Sequence, residues 1–141
     1  VETLPSPHDC ADGSIFVISS GGKRLGILTD LGHVFTELYP LMASLDAVFL
    51  ESNYDDGMLQ RGPYPLSLKR RISGPRGHLS NRESAELLQA GESLQWACLA
   101  HLSQNNNTPH KALQAHRDVL GHGLALTIAS RLTASALLKI S

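Results

Sequence analysis

The chain has 141 residues, 42% of them hydrophobic and 18% charged, with a formal net charge of −1. That length suits one domain burying roughly two-thirds of its unfolded surface, and the composition excludes a long disordered chain. The near-neutral balance excludes a surface uniformly attractive to nucleic acid, so any such affinity has to come from a local patch.

In chain order, Ser14–Ser19 and Lys23–Leu28 flank Ser20-Gly21-Gly22 and predict a β-hairpin. Leu31–Leu45 carries Val34, Leu38, Leu41 and Leu45 at helical spacing, which predicts a helix that Pro40 kinks or splits. Ala47–Leu50 is the next expected strand. The segment Asn53–Pro65 is rich in Asp, Gly and Pro and predicts a loop with short helical turns. Pro65–Ile72 reads as a short helix stopped by Gly74-Pro75. Ser80-Asn81-Arg82-Glu83 fits the capping box of a helix that continues through Leu87 and Leu88. Gln95–Ala100 is an apolar run bounded by polar residues, a buried strand that delivers His101 to the sheet edge. Thr108-Pro109 opens a helix closed by Gly121 and Gly123, and Leu124–Ala129 and Ala136–Ile140 are expected as final strands.

Three side chains at these boundaries belong to the types a catalytic divalent metal uses: His8 ahead of the first strand, Asp30 after the second, and His101. The simpler role for Asp30 is to cap the helix expected from Leu31. A histidine ending a buried strand, as His101 does, needs a partner. His33 is expected on the surface of the first helix. Cys10 and Cys98 form no CxxC pair, so reduced thiols in a cytoplasmic protein are the plain expectation. No apolar stretch is long enough to span a bilayer, and no membrane partner is expected.

Several blocks occur together: Pro7-His8-Asp9, Thr29-Asp30-Leu31-Gly32, Glu51-Ser52-Asn53-Tyr54-Asp55, Gly62-Pro63-Tyr64-Pro65, Leu68-Lys69-Arg70-Arg71-Ile72, Gly77-His78-Leu79-Ser80-Asn81, and His101-Leu102-Ser103 with Asn105-Asn106. In this order they resemble the metallo-β-lactamase-fold hydrolases of the YycJ (WalJ)-like group, over nearly the whole chain. The resemblance implies an αββα fold, of which this chain supplies the second half of the sandwich: a mixed sheet with helices on one face. It implies a metal-dependent phosphodiesterase or exonuclease acting on DNA, with two divalent metal ions, zinc or manganese. It makes His8, Asp30 and His101 metal ligands, with Asp30 bridging.

Asp30 is also expected to act in catalysis, and His78, between Gly77 and the capped helix, is expected either behind the metal ligands or at the substrate phosphate, the alternative being a loop histidine satisfied by its neighbours. Glu51 and Asn53 stand behind the ligands, Glu51 fixing the tautomer of a ligand histidine. Lys69, Arg70, Arg71 and Arg76 form the basic cluster expected to track substrate phosphates. The group's HxHxDH loop is absent, so residues 1–141 look like the C-terminal part of a single domain. The missing N-terminal half is then an expected partner, and the segment alone should be weak or inactive. Two alternatives stand beside this: a hydrolase of the same fold acting on RNA or a small ester, and a non-catalytic half-domain that packs on a partner segment.

Overall fold

The computed structural model describes residues 1–141. Six strands form one sheet in chain order: β1 (Glu2–Pro5), β2 (Ser14–Ser20), β3 (Lys23–Leu28), β4 (Ala47–Glu51), β5 (Trp96–Ala100) and β6 (Ala125–Ile128). β1, β2 and β3 pair antiparallel, whereas β3 to β6 are parallel. The sheet is therefore mixed, as expected. Gly21 (φ 57°) and Gly22 (φ 78°) make the tight turn between β2 and β3, a conformation that needs positive φ at both central positions.

Parallel neighbours require crossovers. α1 (Leu38–Ala43) joins β3 to β4, and α5 (Pro109–Leu120) joins β5 to β6. Between β4 and β5 lie α2 (Asp56–Arg61), α3 (Leu66–Ile72) and α4 (Asn81–Leu88). The foreseen caps are present: Ser80 and Glu83 close a reciprocal capping box on α4, and Thr108 caps α5. α2 is capped by Asp55, whose carboxylate accepts from the Met58 N–H at 2.8 Å.

Alternation along the strands sends Ile15, Val17, Leu28, Val48, Leu50, Ala97 and Leu99 to one face, where they are fully buried against α1, α4 and α5. The helices thus cover one face. On the other face the register aligns Phe16, Ile27, Phe49 and Cys98 in one row and Ile18, Leu25, Ala47 and Trp96 in the next. Leu138 and Ile140 of the C-terminal tail pack over Trp96 and Cys98, and the indole N–H donates to the Lys139 carbonyl at 2.8 Å. Phe16 and Ile18 remain 41% and 38% exposed.

Three expectations are corrected. The helix foreseen over Leu31–Leu45 is confined to Leu38–Ala43. Pro40 then falls in the first turn, where a missing N–H breaks no helical bond. Residues before it are drawn into a packed loop instead. The Gly32 N–H donates to the Pro7 carbonyl at 3.0 Å, and a Cβ on Gly32 would meet Pro7 O at 2.2 Å and Pro75 O at 2.4 Å. His33 accordingly sits on no helix; its Nδ1 lies 2.7 Å from the Pro75 carbonyl. Ala136–Ile140 forms no strand, because its apolar side chains lie across the sheet face and not beside an edge, and Ser141 is tied to Gln95 by two 2.9 Å hydrogen bonds. Finally, β1 is an edge strand that escaped notice: only Leu4 of its four residues points to the core, so it carries little hydrophobic pattern. No helix is long and apolar enough to cross a membrane.

Candidate metal centre

Because β3, β4 and β5 run parallel in register, they end at one edge of the sheet, with Leu28 beside Leu50 and Glu51 beside Ala100. The carboxyl edge of a parallel sheet is where ligands commonly bind. Asp30, Glu51 and His101 therefore arrive side by side, although they are far apart in sequence. Asp30 (φ 58°) and His101 (φ 57°) are the only non-glycine residues with positive φ. Such conformations cost about 1–3 kcal/mol each and persist where neighbours enforce them. Here the Asp30 N–H donates to Glu51 Oε2 at 2.8 Å, and the His101 carbonyl accepts from Asn53 Nδ2 at 2.8 Å.

Glu51 is the hub. Its carboxylate is fully buried and accepts from the N–H groups of Asp30 and Leu79, each at 2.8 Å, and from Nδ1 of His101 at 2.7 Å. Nδ1 of His78 lies 3.2 Å away. Burial pushes the Glu51 carboxyl up, but the hydrogen bonds from His101, His78 and Leu79 outweigh it and hold the group below its ordinary value. Reciprocally, the hydrogen bond to Glu51 raises the His101 imidazole against partial burial, with the Arg131 charge acting in the opposite sense.

An ionised carboxylate only accepts, so the His101 nitrogen facing Glu51 carries a hydrogen, and in the neutral ring Nε2 is the nitrogen with the lone pair. The same reasoning applies to His8, whose Nδ1 lies 2.8 Å from the Gly77 carbonyl. Its Nε2 is 3.6 Å from Asp30 Oδ1. The three imidazoles pack in series, with ring centres 4.7 Å apart for His8 and His78 and 5.2 Å for His78 and His101. Donor atoms of Asp30, Glu51, His78 and His101 all lie within 4.8 Å of one another. Neutral imidazoles oriented by hydrogen bonds on the far nitrogen, together with carboxylates, fit a divalent cation.

The structure thus brings together His8, Asp30, His101, His78, Glu51 and Asn53. It places His78 and Glu51 in the tightest group, with His8 against Asp30 at its side. No helix starts at Leu31, so Asp30 caps nothing. The basic cluster lies on α3 and the loop after it, and most of it has partners. Arg71 pairs with Asp9 at 2.5 Å, Lys69 donates to the Gln60 carbonyl, and Arg76 reaches the His8 carbonyl at 3.3 Å. Arg70 is exposed.

Sequence reasoning missed the scaffold under the site. Ser52, Asn81 and Asn107 are buried and joined by hydrogen bonds of 2.6–2.9 Å, and Asn107 also donates to the carbonyls of Ser52 and Asn53. This polar lock fastens the segment after β4 to α4 and to the start of α5. Its faint signal was an asparagine beside each helix cap. Sequence reasoning also passed over Tyr64 and Arg131, which line a cavity of about 520 Å³ opening onto His78 and His101.

The sheet and its helical face match part of the metallo-β-lactamase fold. Two solved structures share it at 18% identity over 90% of the chain: the metallo-β-lactamase-fold protein YhfI from Bacillus subtilis (TM-score 0.64, 45% of that chain) and Zn²⁺-bound PqqB from Methylobacterium extorquens (TM-score 0.59, 46% of that chain). In sequence, the chain is 34% identical over 123 residues to exodeoxyribonuclease YycJ of Bacillus anthracis, and 31% identical over 109 residues to exodeoxyribonuclease WalJ of Streptococcus pneumoniae. These matches cover 85% and 76% of this chain. The likeness to the YycJ (WalJ)-like group of metallo-β-lactamase-fold proteins is borne out. The chain spans 46% and 40% of those two relatives, less than half of each. No protein-family profile matches it.

Proposed function

We propose that this chain forms part of a metal-dependent phosphodiesterase acting on DNA, with His8, Asp30 and His101 holding divalent metal. The observation that carries the proposal is the convergence of His78, His101 and the Asp30 carboxylate around one buried glutamate at the carboxyl edge of the sheet, with His8 beside Asp30. The names of the relatives, exodeoxyribonucleases, supply the substrate class.

His8, Asp30 and His101 would hold the divalent cation, which when bound would supply Lewis-acid neutralisation of phosphate charge and a more nucleophilic water. The chain's own residues do the rest. Glu51 holds the His101 tautomer and orients His78, and Asn53 fixes the strained His101 backbone. Asp30, 43% exposed at its side chain, presents its carboxylate between His8 and His101 as a shared ligand. His78 would meet the substrate phosphate, a role supported by its position between the two other imidazoles and on the cavity wall. Lys69, Arg70, Arg71 and Arg76 attract the polymer backbone on the α3 side.

The proposed site takes two ions, zinc or manganese, with the remaining ligands supplied by additional chain of the kind the longer relatives possess. That chain packs on the half-covered face around Phe16 and Ile18, where apolar surface otherwise meets water. The test is degradation of linear DNA, with added Mn²⁺ or Zn²⁺, by the protein that contains this chain. Activity that His101→Ala abolishes while circular dichroism is unchanged supports the proposal. Equal activity in both proteins refutes it.

A further inference from the structure

The space on the two sides of His78 is unequal, and this decides where a nucleotide fits. On the α3 side, the cavity between His8, Asp9, Arg71 and His78 is only about 70 Å³. On the other side, the cavity bounded by His78, His101, Tyr64, Ile72 and Arg131 is about 520 Å³, within the range of small-ligand pockets. A second cavity of about 560 Å³ adjoins it, reaching Thr108 and Pro109, and the two share Leu102, Ser103 and the Ala129–Arg131 segment as a common wall. Together they make a groove that leads from the cluster toward α5.

Two side chains in this groove are held in place by hydrogen bonds to neighbouring residues. The Tyr64 hydroxyl accepts from Asn105 Nδ2 at 2.7 Å, which fixes the half-buried ring. The Arg131 guanidinium donates to Gln104 Oε1 at 3.0 Å and to the Leu102 carbonyl at 2.6 Å. A guanidinium has five N–H donors, so further donors remain for a phosphate.

We propose that this groove binds one strand of DNA, with Tyr64 stacking on the base nearest the metal centre and Arg131 contacting the phosphate that follows it. The assignment rests on the DNA substrate proposed above and adds which side of the centre receives the nucleotide. Aromatic rings stack on any base, and arginine contacts phosphate whatever the sequence, so the groove accepts a strand without reading it. The α3 side offers about 70 Å³ beside His78 and, further out, a hollow of about 250 Å³ lined by Arg70, Arg71 and Arg76 with no aromatic ring, and is left with phosphate attraction.

The test is fluorescence anisotropy of the protein that contains this chain with a labelled oligothymidylate, and with an abasic oligomer of the same length, in chelator so that nothing is cleaved. Tyr64→Ala should weaken the oligothymidylate by about tenfold and leave the abasic oligomer unchanged. Tyr64→Phe, which keeps the ring, should bind both like wild type. Arg131→Gln should weaken both oligomers and lower the salt slope by about one. Equal effects of Tyr64→Ala on the two oligomers, or an Arg131→Gln protein that binds like wild type, would overturn the assignment and leave the DNA substrate standing. A wild-type protein that binds neither oligomer would overturn the DNA substrate itself, and this groove with it.

Discussion

Nδ1 of His101 stands 2.7 Å from Oε2 of the fully buried Glu51 carboxylate, and this contact joins the end of β5 to the end of β4. It fixes the imidazole tautomer and leaves Nε2 as the free donor. It also sets how each group titrates. The His101 pKa is raised by its hydrogen bond to Glu51, and Glu51 is lowered despite burial. Stability from the raised histidine is complete below its unfolded value of about 6.5 and fades as pH rises through the folded one. Stability from the depressed carboxylate is complete above its unfolded value of about 4.3 and fades as pH falls through the folded one. The pair therefore stabilises most in the mildly acidic window between the two.

In the metal-free chain, an NMR titration should place the His101 midpoint above the ordinary imidazole value, and Glu51→Gln should bring it down. Glu51→Ala should cost about 3 kcal/mol in urea unfolding, because several buried donors lose their acceptor. A His101 midpoint unmoved by Glu51→Gln would show that the contact carries no electrostatic weight.

Gly32→Ala should break the site's geometry. The added methyl would fall 2.2–2.6 Å from backbone atoms of Pro7, Pro75 and Arg76, none of which can yield without parting the loops that carry His8 and His78. Gly123→Ala is the control, since nothing lies within 4 Å of its Cβ position. The expected result is a marked fall in Tm for the first protein and almost none for the second.

His116 gives the fold an acid-sensitive point remote from the site. It is fully buried, with Nδ1 2.8 Å from the Ala112 carbonyl and Nε2 3.1 Å from Ser84 Oγ, a pattern that the neutral ring satisfies. Burial pushes its pKa down to about 4. The unfolded chain binds the proton more readily, so stability present above pH about 6.5 is lost as pH falls toward 4, by up to roughly 3 kcal/mol. His116→Gln should flatten that part of the stability–pH curve. A curve as steep as that of wild type would assign the acid sensitivity elsewhere.

Arg70→Ala combined with Arg71→Ala should lower the salt slope of DNA binding by roughly two at most. Arg71 is already paired with Asp9, so a drop nearer one is expected if that pair persists on DNA. An unchanged slope and affinity would leave the cluster as ordinary surface charge.

The strands β2 to β5 were legible because apolar residues alternate or run continuously between clear turn signals. So were the caps at Ser80 and Thr108, whose side chains act locally. The Leu31–Leu45 helix misled because Val34, Leu38, Leu41 and Leu45 keep helical spacing whether or not the chain is helical, and the close approach of Gly32 to Pro7 and Pro75 leaves no local mark. His8, Asp30 and His101 were found as isolated boundary residues. The meeting of Asp30 and His101 around Glu51 depends on the parallel register of β3, β4 and β5, which sequence spacing does not encode, and His8 reaches Asp30 from the segment between β1 and β2. Tyr64 and Arg131 share a cavity only because the chain returns to it after β6.

Calorimetric titration of the chain with Mn²⁺ or Zn²⁺, run in parallel on wild type and His101→Ala, decides whether the cluster is a metal centre. Binding that is weak but saturable in the wild type, and lost in the variant with its circular dichroism spectrum intact, is the expected result. Indistinguishable isotherms from the two proteins would contradict it, and the imidazoles around Glu51 would then be a structural network and no more.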